Sequence, residues 1–206
     1  MRLGWAVSGQ GMIARAVFEA SSAGLISSRI ALVIFDRTGP TASMMDYCRR
    51  NSIDFRVIEP DRLEQSMIAL RDQYGLDWLG LTFNRILSPL VISAFEGQIF
   101  NVHFSLLPAF PGFGATRKAL QSGLPHAGVT VHLIDAGIDT GPVIAQVKVD
   151  ILTDDTEQSL GRRQFEAAVP LAIQTVRNAE RNRTLDFDRA DEDIELFSRS
   201  FCAGLG

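Results

Sequence analysis

The sequence is short of cysteine, of net charge and of long apolar runs, and each shortage removes a class of protein. Cys48 and Cys202 are the only cysteines in 206 residues, and neither opens a Cys-x-x-Cys. A disulfide scaffold and a cysteine-built metal site are therefore not expected. Net charge is only −4, which leaves no basic excess for holding nucleic acid or an anionic membrane. No uninterrupted apolar stretch approaches the roughly 20 residues that span a bilayer. The start of the chain, MRLGWAVSGQG, passes directly into an apolar run and a glycine turn, unlike a secretion signal. Aromatic residues make up 8% of the chain, and no internal repeat or low-complexity block is present, so repeat arrays are excluded. The expectation is a cytoplasmic protein with two free thiols.

The chain does contain a regular alternation. Leu3–Ser8, Arg29–Phe35, DFRVI, DWLGLTF and QIFNVHF are apolar runs of strand length. Between them, Met12–Ala23, Thr41–Asn51, Leu63–Tyr74 and PLVISAFEG have helical spacing, the last opened by the cap and first-turn pair Ser88-Pro89. This βαβα order predicts a doubly wound, mostly parallel sheet of Rossmann-like type. After Phe104 the rhythm changes to SLLPAFPGFGATRKALQSG, which has far more loop than one βα unit requires. GVTVHLI and PVIAQVKVDI follow as two strands joined by DAGIDTG in a hairpin-like return, and Asp155–Arg181 reads as helix, kinked or restarted at Pro170. Residues 1–181 form the expected catalytic domain. Residues 182–206 turn acidic and are expected to be a loosely ordered tail.

Two constellations carry chemistry. Gly9, Gly11 and Ala14 have G-x-G-x-x-A spacing after the first strand, and Asp36 closes the second, as in a dinucleotide-binding unit. A glycine turn at a helix start attracts an anion without deciding which one. The second constellation is Asn101, His103 and Asp139. Asn101 and His103 point the same way from the fifth strand, and Asp139 lies in the loop between the last two strands. A carboxamide that can bond an oxyanion, an imidazole, and a carboxylate that can raise the imidazole's pKa suit chemistry at a carbonyl. His132 reads as a satisfied structural histidine and His126 as a solvated loop residue. No metal is expected.

FNVHFSLLPAFPG followed by GVTVHLIDAGIDTGPVIAQ resembles the folate-dependent formyltransferases, and RILSP (Arg85–Pro89) is similar to their folate-binding loop. The resemblance implies transfer of a formyl group from 10-formyltetrahydrofolate to a small, phosphorylated primary amine. Phosphoribosylglycinamide is the leading acceptor. The alternatives are an amino-sugar nucleotide, hydrolysis of the formyl-folate, or a folate- or dinucleotide-binding module without turnover. It assigns catalysis to Asn101, His103 and Asp139, with a charged His103 held by Asp139. The pterin would sit against Ile86, Leu87, Ile99 and Ile134, its polar edge bonding backbone at Arg85–Leu87 and at Asp135, Ala136, Gly137, Ile138 and Asp139. The first glycine turn (Gly9, Gly11, Met12, Ile13) would face the acceptor's phosphate, with Arg62 and Glu166 reaching the substrate. Met12 and Ile13 stand where the family carries Ser and Asn, so that turn can offer backbone N–H groups only. Arg15, Arg62 or Arg117 would have to supply any compensating charge.

Overall fold

The computed structural model describes residues 1–36, 42–181, 185 and 187–205. Seven strands form one sheet: β1 (Arg2–Val7), β2 (Arg29–Asp36), β3 (Phe55–Ile58), β4 (Trp78–Thr82), β5 (Ile99–His103), β6 (His126–Leu133) and β7 (Val143–Asp150). Their order is β3-β2-β1-β4-β5-β6-β7. The first five are parallel, and β6 and β7 return antiparallel, so the expected hairpin is present. The order reverses between β1 and β4, the place where open α/β sheets leave a crevice at their carboxyl edge.

Helices cover both faces because successive strand residues face opposite ways and both sets are apolar. On one face Leu3, Trp5, Val7, Val33 and Phe35 pack with α1 (Met12–Ser22), α2 (Ala42–Arg50) and α6 (Glu157–Glu180). On the other, Ala6, Leu32, Ile34 and Leu79 pack with α3 (Leu63–Tyr74) and α4 (Pro89–Ala94). Ser88 caps α4 as expected, its Oγ accepting from the Val91 N–H. Thr41, taken as the start of the second helix, lies outside the described residues. His126 opens β6 rather than sitting in a loop, and pairs at the surface with Asp150. Among the described residues no helix is long and apolar enough to cross a membrane.

In the C-terminal region the expected restart at Pro170 and the expected loose tail are both overturned. Helix α6 runs unbroken through Pro170 for 24 residues. An interior proline costs about 3 kcal/mol in an exposed helix. Here Ala168, Val169, Leu171 and Ala172 beside it are each at most 4% exposed, and their burial outweighs the lost backbone bond. The acidic stretch is not a loose tail either, because residues Glu192–Ala203 form α7, with Ile194, Phe201 and Cys202 in the core. Two of its acids are paired locally. Arg177 on α6, 4% exposed, bonds Asp191 and Asp193 and also the Leu25 carbonyl. A composition that signals disorder when its charges repel signals docking when a buried arginine awaits them.

Candidate active site

Asn101 and His103 end β5 on the side where the next connection leaves the sheet. The loop that follows is held by polar groups the sequence does not advertise. Thr130 Oγ1 donates to the Ser105 carbonyl and accepts from the Leu107 N–H and Gln146 Nε2. Gln164, buried in α6, donates to the Phe104 and Gly128 carbonyls and accepts from Thr116 of α5 (Ala115–Gln121). These bonds fix the long 104–114 loop over the end of the sheet.

The DAGIDTG loop brings Asp139 to the same place. Asp135 closes it, its Oδ1 accepting from the Gly137 N–H at 3.0 Å and from Thr140 Oγ1 at 2.7 Å. Gly141 cannot be another residue, since a Cβ there would stand 1.9 Å from the Leu133 carbonyl oxygen. Asp139 itself is held at φ 53°, in the left-handed region that non-glycine residues seldom occupy. Asp139 Oδ2 then lies 3.4 Å from His103 Nδ1 and accepts from the Gly112 N–H at 2.7 Å.

His132 is fully buried with both ring nitrogens engaged, as expected of a structural histidine, and its bonds reach this group. In the antiparallel register it sits opposite Asn101. Its Nδ1 is 2.8 Å from the Leu133 carbonyl, which can only accept, so Nδ1 carries a proton. Its Nε2 is 3.3 Å from Asn101 Nδ2 and 3.5 Å from Asp139 Oδ1. A neutral ring accepts from the amide and a protonated ring donates to the carboxylate. Either way His132 ties Asn101 to Asp139.

Electrostatics sort the two titrating partners. Burial pushes the Asp139 carboxyl up, but the bonds from His132 and Gly112 and the charge of His103 outweigh it and bring it down to about 2. For His103, burial is the largest influence and lowers its pKa. Asp139 and the Phe110 carbonyl, 3.1 Å from Nε2, pull it up by less. Burial thus favours an uncharged imidazole, whereas the acceptors facing both ring nitrogens favour the expected imidazolium. Once charged, it faces an acceptor on each nitrogen.

These residues form the wall of a cavity of about 370 Å³ that also takes in Arg85, Ile86, Phe113 and Ile138. Three large apolar side chains stand out at it, with Ile86 64%, Phe113 62% and Ile138 54% exposed. Leu87 and Ile99, expected against a ligand, are core residues at 6% and 0% exposure, and Ile134 packs on the same core. Ile99 opens β5, two residues before Asn101, so its side chain packs in the core beneath the strand end where the cavity begins. Ala136 and Gly137 form the exposed outer turn of their loop.

The residues expected at the acceptor divide. Met12 and Glu166 meet in a second cavity of about 570 Å³ with Gln10, Gln158, Arg162 and Phe165. The two cavities are neighbours along the first turn of α6, where Glu157 lines one and Gln158 the other. Ile13 is 4% exposed and belongs to the core, so only its backbone could meet a ligand. Gly11 is the αL cap of α1, at φ 67°. Gly9 lies in the same turn. Arg62 is an exposed residue at the end of a 3-10 turn and lines neither cavity. Arg15 is paired with Glu19 and Arg117 with Glu157. The cation lining the same cavity as Met12 is Arg162, which the sequence did not single out and which is itself paired with Glu166 at 3.1 Å.

The dinucleotide reading fails on Asp36. That carboxylate is 2% exposed and accepts from Ser8 Oγ at 2.8 Å and Arg85 Nε at 3.1 Å, so it is committed to the protein rather than turned to a ribose.

Comparisons with known proteins show the family. The profile of the Formyl transferase family matches residues 1–176. Phosphoribosylglycinamide formyltransferase of Bacillus subtilis (strain 168) is 34% identical over 140 residues, 65% of this chain and 71% of that protein. The Escherichia coli (strain K12) protein of the same name is 30% identical over 177 residues, 81% of this chain and 82% of its own. The crystal structure of glycinamide ribonucleotide transformylase 1 from Symbiobacterium toebii superposes with a TM-score of 0.84 at 31% identity, covering 93% of this chain and 94% of that one.

Proposed function

The chain belongs to the formyl transferase family, and we propose that it moves a formyl group from 10-formyltetrahydrofolate to the primary amine of phosphoribosylglycinamide, a cytoplasmic step of purine biosynthesis and one-carbon metabolism. The observation that carries this reading is the convergence of Asn101, His103 and Asp139, linked by His132, on one cavity wall. Ile86, Phe113 and Ile138, left exposed around that cavity, fit a flat ring system such as a folate's.

The amine attacks the formyl carbon. A C–N bond forms as the carbonyl oxygen becomes an oxyanion, which a free N–H of the Asn101 amide bonds. His103, uncharged at rest, takes the proton the amine must lose. The resulting imidazolium is held between Asp139 and the Phe110 carbonyl. Collapse of the tetrahedral centre breaks the bond to N10 of the folate, and His103 returns the proton to that nitrogen. The acceptor's phosphate is assigned to the second cavity, beside Arg162.

The test follows release of tetrahydrofolate with phosphoribosylglycinamide, with an amino-sugar nucleotide, and without any amine. Turnover dependent on phosphoribosylglycinamide supports the reading. Turnover without amine would make the protein a hydrolase, and turnover with the sugar alone would change the acceptor. Binding gives a second check. A 5-formyl-folate at 100 times its dissociation constant should add about 2.7 kcal/mol, raising the melting temperature by roughly 5–10 °C. NAD should leave it unchanged, because Asp36 is already engaged.

The pH dependence follows from the signs of the shifts. His103 must be neutral to accept the proton, and its pKa in the fold is lowered from 6.5, so activity is lost only as pH falls through that lowered value. The acid limb of kcat/KM is expected below pH 6.5. Asp139→Asn removes an influence that raises the imidazole, and should move the limb further down. A limb above 6.5 would contradict this assignment.

A further inference from the structure

Three adjacent strand ends are tied together beside the cavity. Ser8 follows β1, Asp36 ends β2, and Asn84 and Arg85 follow β4. Ser8 Oγ donates to Asp36 Oδ2 at 2.8 Å and accepts from the Asn84 N–H at 2.9 Å. Arg85 Nε donates to the same Oδ2 at 3.1 Å. Asp36 is buried, whereas the Arg85 side chain is 31% exposed and lines the catalytic cavity. Among the described residues the two terminal nitrogens of Arg85 have no hydrogen-bond partner. A carboxylate that binds a guanidinium through Nε fixes the plane of its fork and leaves the outer pair of donors to a ligand.

We propose that Asp36, braced by Ser8, is a positioning residue for the folate co-substrate: it acts through Arg85, orienting the guanidinium and the 83–88 loop at the cavity wall. This rests on the folate reading above. The residue that would mark a dinucleotide site thus serves a different ligand through an intermediary.

Calorimetric titration of 5-formyltetrahydrofolate into wild type, Asp36→Asn, Arg85→Ala and the double variant tests the proposal, with melting temperatures measured in parallel. Asp36→Asn is expected to weaken folate binding about tenfold, and the double variant to match Arg85→Ala within about twofold, as for residues acting in series. In turnover, the loss should fall on the KM for folate rather than on that for the amine. Arg85→Lys keeps the charge but not the fork, and should weaken binding as Asp36→Asn does. It carries the test if Asp36→Asn does not fold. Wild type failing to bind the folate would overturn the folate reading, and this proposal with it. Wild type binding while Asp36→Asn or Arg85→Lys binds equally well would overturn the positioning role alone. So would losses that simply add in the double variant, since Asp36 would then act apart from Arg85.

Discussion

His103→Ala and Asp139→Asn are each expected to lower turnover by about 10²–10⁴-fold while the protein stays folded. Both side chains lie at the edge of the core, 10% and 13% exposed, so their replacement leaves the sheet beneath intact. The losses have different origins. In the proposed mechanism, without His103 the amine's proton has no acceptor at the reacting centre. With asparagine at 139 the imidazolium loses the charge that stabilises it and His132 loses its anionic partner, yet the Gly112 N–H can still be bonded. Asn101→Ala should cost roughly a hundred- to thousandfold, the usual worth of one oxyanion donor. Steady-state kinetics with circular dichroism as a control would check all three. Near-normal turnover of a folded Asp139→Asn protein would remove Asp139 from the mechanism.

The second large effect concerns stability and separates two neighbouring residues. The formyltransferase pattern places Asn where this chain has Ile13, but restoring it is expected to damage the protein. Ile13 is 4% exposed among Val17, Phe35 and the other residues of the larger core. Loss of such a side chain costs about 2–5 kcal/mol, and a buried amide without partners adds about 1–3 kcal/mol. Ile13→Asn should therefore lose about 4 kcal/mol or more, roughly 10 °C in melting temperature for a domain of this size. Met12→Ser, by contrast, changes a residue that lines the second cavity and should cost less than about 1 kcal/mol. Scanning calorimetry distinguishes them. An Ile13→Asn protein as stable as wild type would show that the first turn of α1 is not packed as described.

Order along the chain determined the sheet. Alternating apolar runs and helical spacings reported β1 through β5 with their helices, because a strand covered on both faces has little freedom in composition. Short-range chemistry was equally legible. Ser88-Pro89 opens a helix, and two side chains at alternate positions of one strand, Asn101 and His103, must emerge on one side. The DAGIDTG spacing announced a closed loop carrying a carboxylate, and the resemblance supplied the reaction. What depended on distance through space was not legible. The partnership of His132 with Asn101 requires the register of β5 against β6, and a slip of one residue would have turned it away. The direction of His103's pKa shift requires knowing how deeply it is buried, since desolvation and Asp139 act in opposite directions and only their relative size decides. The ordering of the acidic C-terminal stretch required Arg177 to be waiting, buried, on another helix. Asp36 has the place in the sequence of a ribose-binding acid, but its bonds to Ser8 and Arg85 arise only because β2, β1 and β4 lie side by side. Local sequence determines which groups leave a strand and in which direction. Packing alone decides which of them meet, and how much water remains between them to weaken or strengthen their charges.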